Sequence, residues 1–145
     1  MEKELAKAEL EIVKEKIDAF KDDYKGKRWG NATISLYFAF EHLIKALLAS
    51  SGIEAKSHEG LKILFSMHFI KKGAIHPRIG RYLGNLYDRR VTAEYSPLRR
   101  SEFTEDEVKI YFEWVKESFK EILPLLKKNG INVKNLHSID KISLK

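Results

Sequence analysis

The chain has no cysteine and no glutamine, and only 3 of its 145 residues are proline. Without thiols there can be no disulfide, no thiolate nucleophile and no cysteine-ligated zinc. No unbroken apolar run reaches the roughly 18 residues of a bilayer-crossing helix, so no membrane span is expected. The opening Met1-Glu2-Lys3-Glu4 is charged, unlike a secretory signal, and a cytoplasmic location is expected. The lack of glutamine beside 33% charged residues fits a thermophilic source.

What is present is a folded chain of one-domain length, with 43% hydrophobic residues. Its net charge of +6 is unevenly spread. Residues 71–100 hold eight bases (Lys71, Lys72, Arg78, Arg81, Arg89, Arg90, Arg99, Arg100) against two acids, Asp88 and Glu94. The remaining bases and acids cancel. A local excess of this kind either attracts phosphates or an acidic partner, or is a solvated helix face.

Apolar residues recur at helical spacing almost throughout. A first helix is expected over about Glu2–Tyr24, with Leu5, Ala8, Ile12, Ile17, Phe20 and Tyr24 inward. A second runs from Trp29 or Asn31 to about Ser51, apolar on most sides, and is expected to be the most buried. Ser57 suits an N-cap for a shorter helix over His58–Lys72. Pro77 opens a fourth helix that Ser96-Pro97 closes near Tyr95. Thr104-Glu105-Asp106-Glu107 has the capping-box pattern and starts a fifth, reaching Asn129-Gly130. Short links favour antiparallel neighbours, so the expected fold is an all-α up-down bundle of four long helices and one shorter one. It occupies residues 1–130, with 131–145 as a loose C-terminal tail.

Little conventional chemistry is visible. The histidines His42, His58, His68, His76 and His137 form no HxxxH pair, so no metal is expected. There is no GxSxG, Walker or GxGxxG motif. The glycines read as helix-end caps, and Tyr37, Phe38 and Phe40 read as core. No cofactor and no catalytic residue is indicated.

The fourth helix is unusual. With Ile79 at zero and about 100° per residue, Leu83 falls near +40°, Leu86 near −20° and Ala93 near −40°. On the same scale of about 100° per residue, Arg90 falls near +20° and Glu94 near +60°, inside the apolar stripe, with Arg89 on its flank near −80°. A core-facing arginine needs a partner. Either Arg90 and Glu94 form an internal ion pair, or Arg90 is reserved for a phosphate at a groove or subunit interface. Spacing alone does not choose between them.

Three stretches carry a family resemblance: Tyr37-Phe38-Ala39-Phe40-Glu41-His42, Gly52-Ile53-Glu54-Ala55-Lys56-Ser57-His58-Glu59-Gly60 with His68-Phe69-Ile70-Lys71-Lys72-Gly73, and Leu86-Tyr87-Asp88-Arg89-Arg90-Val91-Thr92-Ala93-Glu94-Tyr95. Together they resemble the HEPN domain family, and within it the UPF0332 group, over about residues 30–96. The resemblance implies a helical bundle that is often a homodimer, paired with a small nucleotidyltransferase in toxin–antitoxin-like systems. Many members of that family are metal-independent ribonucleases with an Arg, four to six residues, then a His. Here Arg90 matches the arginine, but Tyr95 stands where the histidine would be, and a phenol with a pKa near 10 is a poor base at pH 7.

Three functions follow as expectations. The first is a non-catalytic module that binds nucleotide or RNA through Arg89, Arg90 and Tyr95 and pairs with a nucleotidyltransferase. The second is an endoribonuclease toxin in which Tyr95 or a histidine from elsewhere moves the proton. The third is a purely structural interaction module, held by Arg90–Glu94.

Overall fold

A computed structural model describes residues 2–144, and within them every regular element is helical. Five α-helices follow in order: α1 (Glu2–Lys25), α2 (Trp29–Ser50), α3 (His58–Phe65), α4 (Pro77–Tyr95) and α5 (Glu105–Lys128). A π-helical turn, Ser66–Ile70, extends α3, and 3-10 turns cover Pro97–Glu102 and Lys134–Lys141.

Helix α2 is the hub, in contact with α1, α3, α4 and α5. Its burial follows from its sequence: Leu36, Phe40, Leu43, Ile44, Leu47 and Leu48 are all fully enclosed. By length and composition α2 could cross a membrane, a property missed by the search for unbroken apolar runs. However, 78% of its most apolar window is buried inside the bundle. A short link folds α2 back along α1. There Lys27 takes a positive φ of 59°, and Arg28 donates to the Asp22 carbonyl at 2.9 Å and the Asp23 carboxylate at 3.0 Å. The buried stripe of α1 is Ala6, Leu10, Val13, Phe20 and Tyr24. It differs from the expected stripe in the first turns, where Leu5 is exposed, because α2 meets the face one position further on.

Capping explains the helix starts. Ser57 accepts from the Gly60 amide at 2.9 Å, as its sequence position suggests. His76 caps α4, its Nδ1 accepting from the Arg78 amide at 3.1 Å. Thr104 accepts from the Glu107 amide at 3.2 Å. The reciprocal half of that capping box is not made, because the Glu107 carboxylate is drawn to α4 instead. The third helix does not run unbroken to Lys72. The wider turn at Ser66–Ile70 keeps Phe69 inward beside Phe65, with ring centroids 6.2 Å apart, and carries Ile70 onto α4 at Gly80.

The segment after Gly130 is packed rather than loose. Ile131, Val133, Leu136 and Ile139 are buried in the main core cluster. Each such side chain is worth about 1.5–3 kcal/mol before the cost of ordering the chain. Ending the chain at Gly130 is therefore expected to lower the melting temperature by at least about 5 °C in thermal denaturation. An unchanged midpoint would place the segment outside the fold.

Candidate functional site

Adjacent residues Arg89 and Arg90 leave α4 about 100° apart and so meet different helices. Arg89 turns to α5. Its Nε and Nη2 donate to the two carboxylate oxygens of Glu107 at 2.7 and 3.0 Å, and its guanidinium lies 4.1 Å over the Phe103 ring. The Tyr111 hydroxyl donates to the same carboxylate at 2.7 Å. The hydrogen bonds to Glu107 raise the Arg89 pKa further above its ordinary value. Arg89 is thus a clamp between α4 and α5.

Arg90 turns to α2. Its guanidinium carbon sits 5.3 Å from the Tyr37 ring centroid, 4.8 Å from Phe38 and 5.5 Å from Tyr87. Nη1 lies 3.2 Å from Glu94 Oε2, and the Arg90 side chain is only 16% exposed. Nε is buried and, among the described residues, has no hydrogen-bond partner. Aromatic faces supply negative quadrupole to the charge without using its N–H groups. Arg90 is therefore electrostatically answered; Nε is sealed in the core, and Nη2, not a buried atom, has no hydrogen-bond partner among the described residues. Tyr95, by contrast, is 70% exposed at the end of α4 and takes part in neither arrangement.

Behind Arg90 lies a proton-linked chain that sequence reading did not find. The fully buried Tyr37 hydroxyl lies 3.1 Å from Glu41 Oε1 and 2.8 Å from His58 Nδ1. The His58 ring stacks on Tyr87 at 3.6 Å with 10° between planes. Burial, reinforced by Glu41, drives the Tyr37 pKa far upward, so this phenol keeps its proton. The carboxylate of Glu41 can only accept, so Tyr37 donates to it and His58 donates its Nδ1–H to Tyr37. That assigns the tautomer and leaves Nε2 as an acceptor. Nε2 has no partner among the described residues and is not a buried atom. Burial first of all, with Lys62 and Arg90 adding, lowers the His58 pKa despite Glu41 and Glu59. The detectable signal was the run Tyr37-x-x-x-Glu41, one helical turn apart, together with His58 one residue past a cap.

Folding also redistributes the basic segment. Arg78 pairs with Glu117 and Glu121 of α5, Arg99 with Glu102, and Arg100 donates to the Ala93 carbonyl at 2.7 Å and Asn31 at 2.8 Å. Among the described residues of this segment, Lys71, Lys72, Arg81 and Arg100 are left without an ion pair, the last with neutral acceptors only. The charge excess seen along the chain is therefore partly cancelled by acids of α5 that are distant in sequence. Two glycines depart from expectation. Gly30 and Gly60 fall in the first turns of α2 and α3, but Gly80 and Gly84 lie inside α4 rather than at its ends. Gly80 and Gly84 face the side of α4 that borders α3, where a groove of about 660 Å³ opens, lined by His58, Lys62, Arg81, Asn85, Tyr87 and Asp88 among others. Among the described residues no group of three or more His, Asp or Glu has the arrangement of a metal site.

Two outcomes test these roles. Glu107→Ala strips Arg89 and Tyr111 of their acceptor and is expected to cost roughly 1–3 kcal/mol in denaturant unfolding, whereas Glu102→Ala, in an exposed and solvent-screened pair, leaves the unfolding midpoint essentially unchanged. Because the folded-state pKa of His58 lies below its ordinary 6.5, its contribution to stability is complete above that pH and is lost as pH falls through the folded value. The melting temperature of the wild type should drop more between pH 7.5 and 5 than that of His58→Phe; parallel curves would show that the imidazole is not held neutral.

Comparison with known proteins agrees with this architecture. The chain is 29% identical over 125 residues to a Methanocaldococcus jannaschii protein named "Putative toxin", covering 83% of this chain and 93% of that one. It is 28% identical over 106 residues to a Thermotoga maritima protein named "UPF0332 protein", covering 73% and 76%. A second M. jannaschii protein named "Putative toxin" is 30% identical over 93 residues, covering 61% and 63%. The HEPN domain pattern spans residues 6–126, from the first turns of α1 to the end of α5, and the chain belongs to the HEPN domain family.

Proposed function

We propose that this chain is the HEPN component of a toxin–antitoxin-like pair, a module that holds a nucleotide or RNA phosphate and docks a small nucleotidyltransferase, without cleavage chemistry at Arg90. The toxin names of its relatives support the setting. The observation that carries the reading is the state of Arg90. It is only 16% exposed, its charge is met by three aromatic faces and one carboxylate, and its Nη2, which is not a buried atom, has no hydrogen-bond partner among the described residues. A guanidinium with spare donors at the edge of a core suits an oxyanion. Arg89 contributes by fixing α4 against α5, and Tyr95 offers an exposed ring near the helix end. The absence of a histidine within seven residues after Arg90 argues against the motif-based ribonuclease. A homodimer would set two copies of α4 side by side, in keeping with the family resemblance.

One observation favours the structural alternative: the 3.2 Å contact of Arg90 with Glu94 gives the arginine a reason to exist without any ligand. The two readings separate experimentally. Fluorescence anisotropy with a labelled single-stranded RNA at low salt should show binding that weakens as salt rises. Arg90→Lys keeps the charge but loses the planar fork, and is expected to weaken that binding about tenfold with little change in melting temperature. A large fall in melting temperature with unchanged RNA affinity would leave only the structural role.

A further inference from the structure

Five asparagines occur in the chain, and only Asn129 is followed by glycine. The others precede Ala32, Leu86, Val133 and Leu136, whose side chains shield the peptide nitrogen. At Asn129 the Gly130 nitrogen can attack the side-chain carbonyl carbon, because glycine neither obstructs the approach nor restricts the backbone. In that step the Gly130 N–H loses its proton to water, and the new N–Cγ bond closes a five-membered succinimide. The proton, returned through water, leaves with the side-chain amide nitrogen as ammonia. Water then opens either imide carbonyl, which gives aspartate or isoaspartate. No electrons are exchanged and no cofactor is needed.

The fold sets each reacting group against this chemistry. Ring closure needs the Gly130 nitrogen to eclipse Cβ of Asn129. With ψ at 9°, it eclipses the Asn129 nitrogen instead. The Gly130 N–H is committed to the Lys127 carbonyl at 3.0 Å. The nitrogen that must leave, Nδ2, donates to Ser50 Oγ at 2.9 Å and to Ser51 Oγ at 3.2 Å, at the end of α2. The next amide, of Ile131, donates to the Leu126 carbonyl at 3.0 Å, so the cap of α5 is continuous with the chain beyond it. That chain is docked by Ile131, Val133, Leu136 and Ile139. Turning ψ of Asn129 far enough for closure swings the Gly130 peptide and everything after it. Reaction therefore requires the segment to lift from the bundle.

The product cannot retake the cap. A carboxylate donates no hydrogen bond. Ser50 spends its hydroxyl proton on the Leu47 carbonyl at 2.7 Å, so it turns a lone pair toward position 129. Ser51 alone is free to donate, one bond in place of two. Negative charge is also unfavourable at a helix C-terminus. Isoaspartate further adds a methylene to the main chain and moves Gly130 out of register. Lys3, whose ammonium stands over Gly130, is exposed, and its attraction for the new charge is screened.

We infer that Asn129-Gly130 is a self-modification site, gated by the docking of residues 131–144, and that its aspartate or isoaspartate product keeps that segment from reseating. Each opening of the segment exposes the chain to permanent release. This inference goes beyond the proposed function and depends on no ligand.

The test incubates the full chain at mildly alkaline pH below its melting temperature, natively and in guanidinium chloride. Peptide mass spectrometry follows residue 129, through the mass gain and the separate isoaspartyl peptide. Conversion in the native chain is expected to be at least about tenfold slower than in the unfolded chain. Leu136→Ala loosens the segment and should raise the native rate about tenfold. Glu107→Ala weakens the α4–α5 clamp instead and should change the rate by less than about twofold. Replacing both serines, Ser50→Ala with Ser51→Ala, frees Nδ2 and should raise it by about threefold or more. Asn129→Asp places the charged product at the cap and should cut hydrogen-exchange protection of the Ile131 and Leu136 amides about tenfold, with α2 amides unchanged. Equal rates in native and unfolded chain, or an unchanged rate in the serine variant, overturn the gate. So does an equal rise in Glu107→Ala and Leu136→Ala, because reaction would then run through global unfolding. Undiminished protection in Asn129→Asp overturns the effect on the segment.

Discussion

A guanidinium placed among packed helices must be answered from several sides, because its desolvation is expensive and one ion pair rarely compensates. In this molecule Tyr37, Phe38 and Tyr87 surround Arg90, and Glu94 supplies the counter-charge. Meeting that requirement dictates much else. It brings α4 against α2 at the level of Tyr37, and Tyr87 in turn presents the face on which His58 stacks. The three helices that meet there are locked by the same group of side chains.

Rigidity at that junction has a chemical consequence. A histidine with both ring nitrogens in water changes tautomer and plane freely. His58 is held by a stack on one face and by Tyr37 at Nδ1, so the remaining nitrogen has one direction and one role. The low pKa imposed chiefly by burial keeps the ring an acceptor in neutral solution. The junction is thus both a structural keystone and a means of presenting one oriented lone pair to the neighbouring groove.

The legibility of these features followed their range along the chain. Helix starts at Ser57, Pro77 and Thr104 depend on residues within a few positions and could be read directly. The apolar hub α2 was also apparent, since nearly every face of it is apolar. The wheel placed Arg90 within the buried stripe of α4 because helical angle is a local property. What could not be read were partners: that Glu107 would abandon the capping box for Arg89, that Glu117 and Glu121 would neutralise Arg78, and that Tyr37 would find His58 across a loop. The glycines show the same limit. Gly80 and Gly84 are ordinary in a one-dimensional scan and become an open groove only when α3 lies beside them.

The amino-acid sequence by itself determined the helical class, the helix boundaries at capped ends, the exclusion of thiol chemistry, and the presence of a misplaced arginine in α4. These all follow from backbone propensity, periodicity and composition, which act over one or two helical turns. Only the tertiary structure decided which basic residues remain unpaired, which histidine is oriented, and that residues after Gly130 join the core. Those outcomes depend on which side chains from distant positions come within about 4 Å, the range over which ion pairs, hydrogen bonds and packing contacts act.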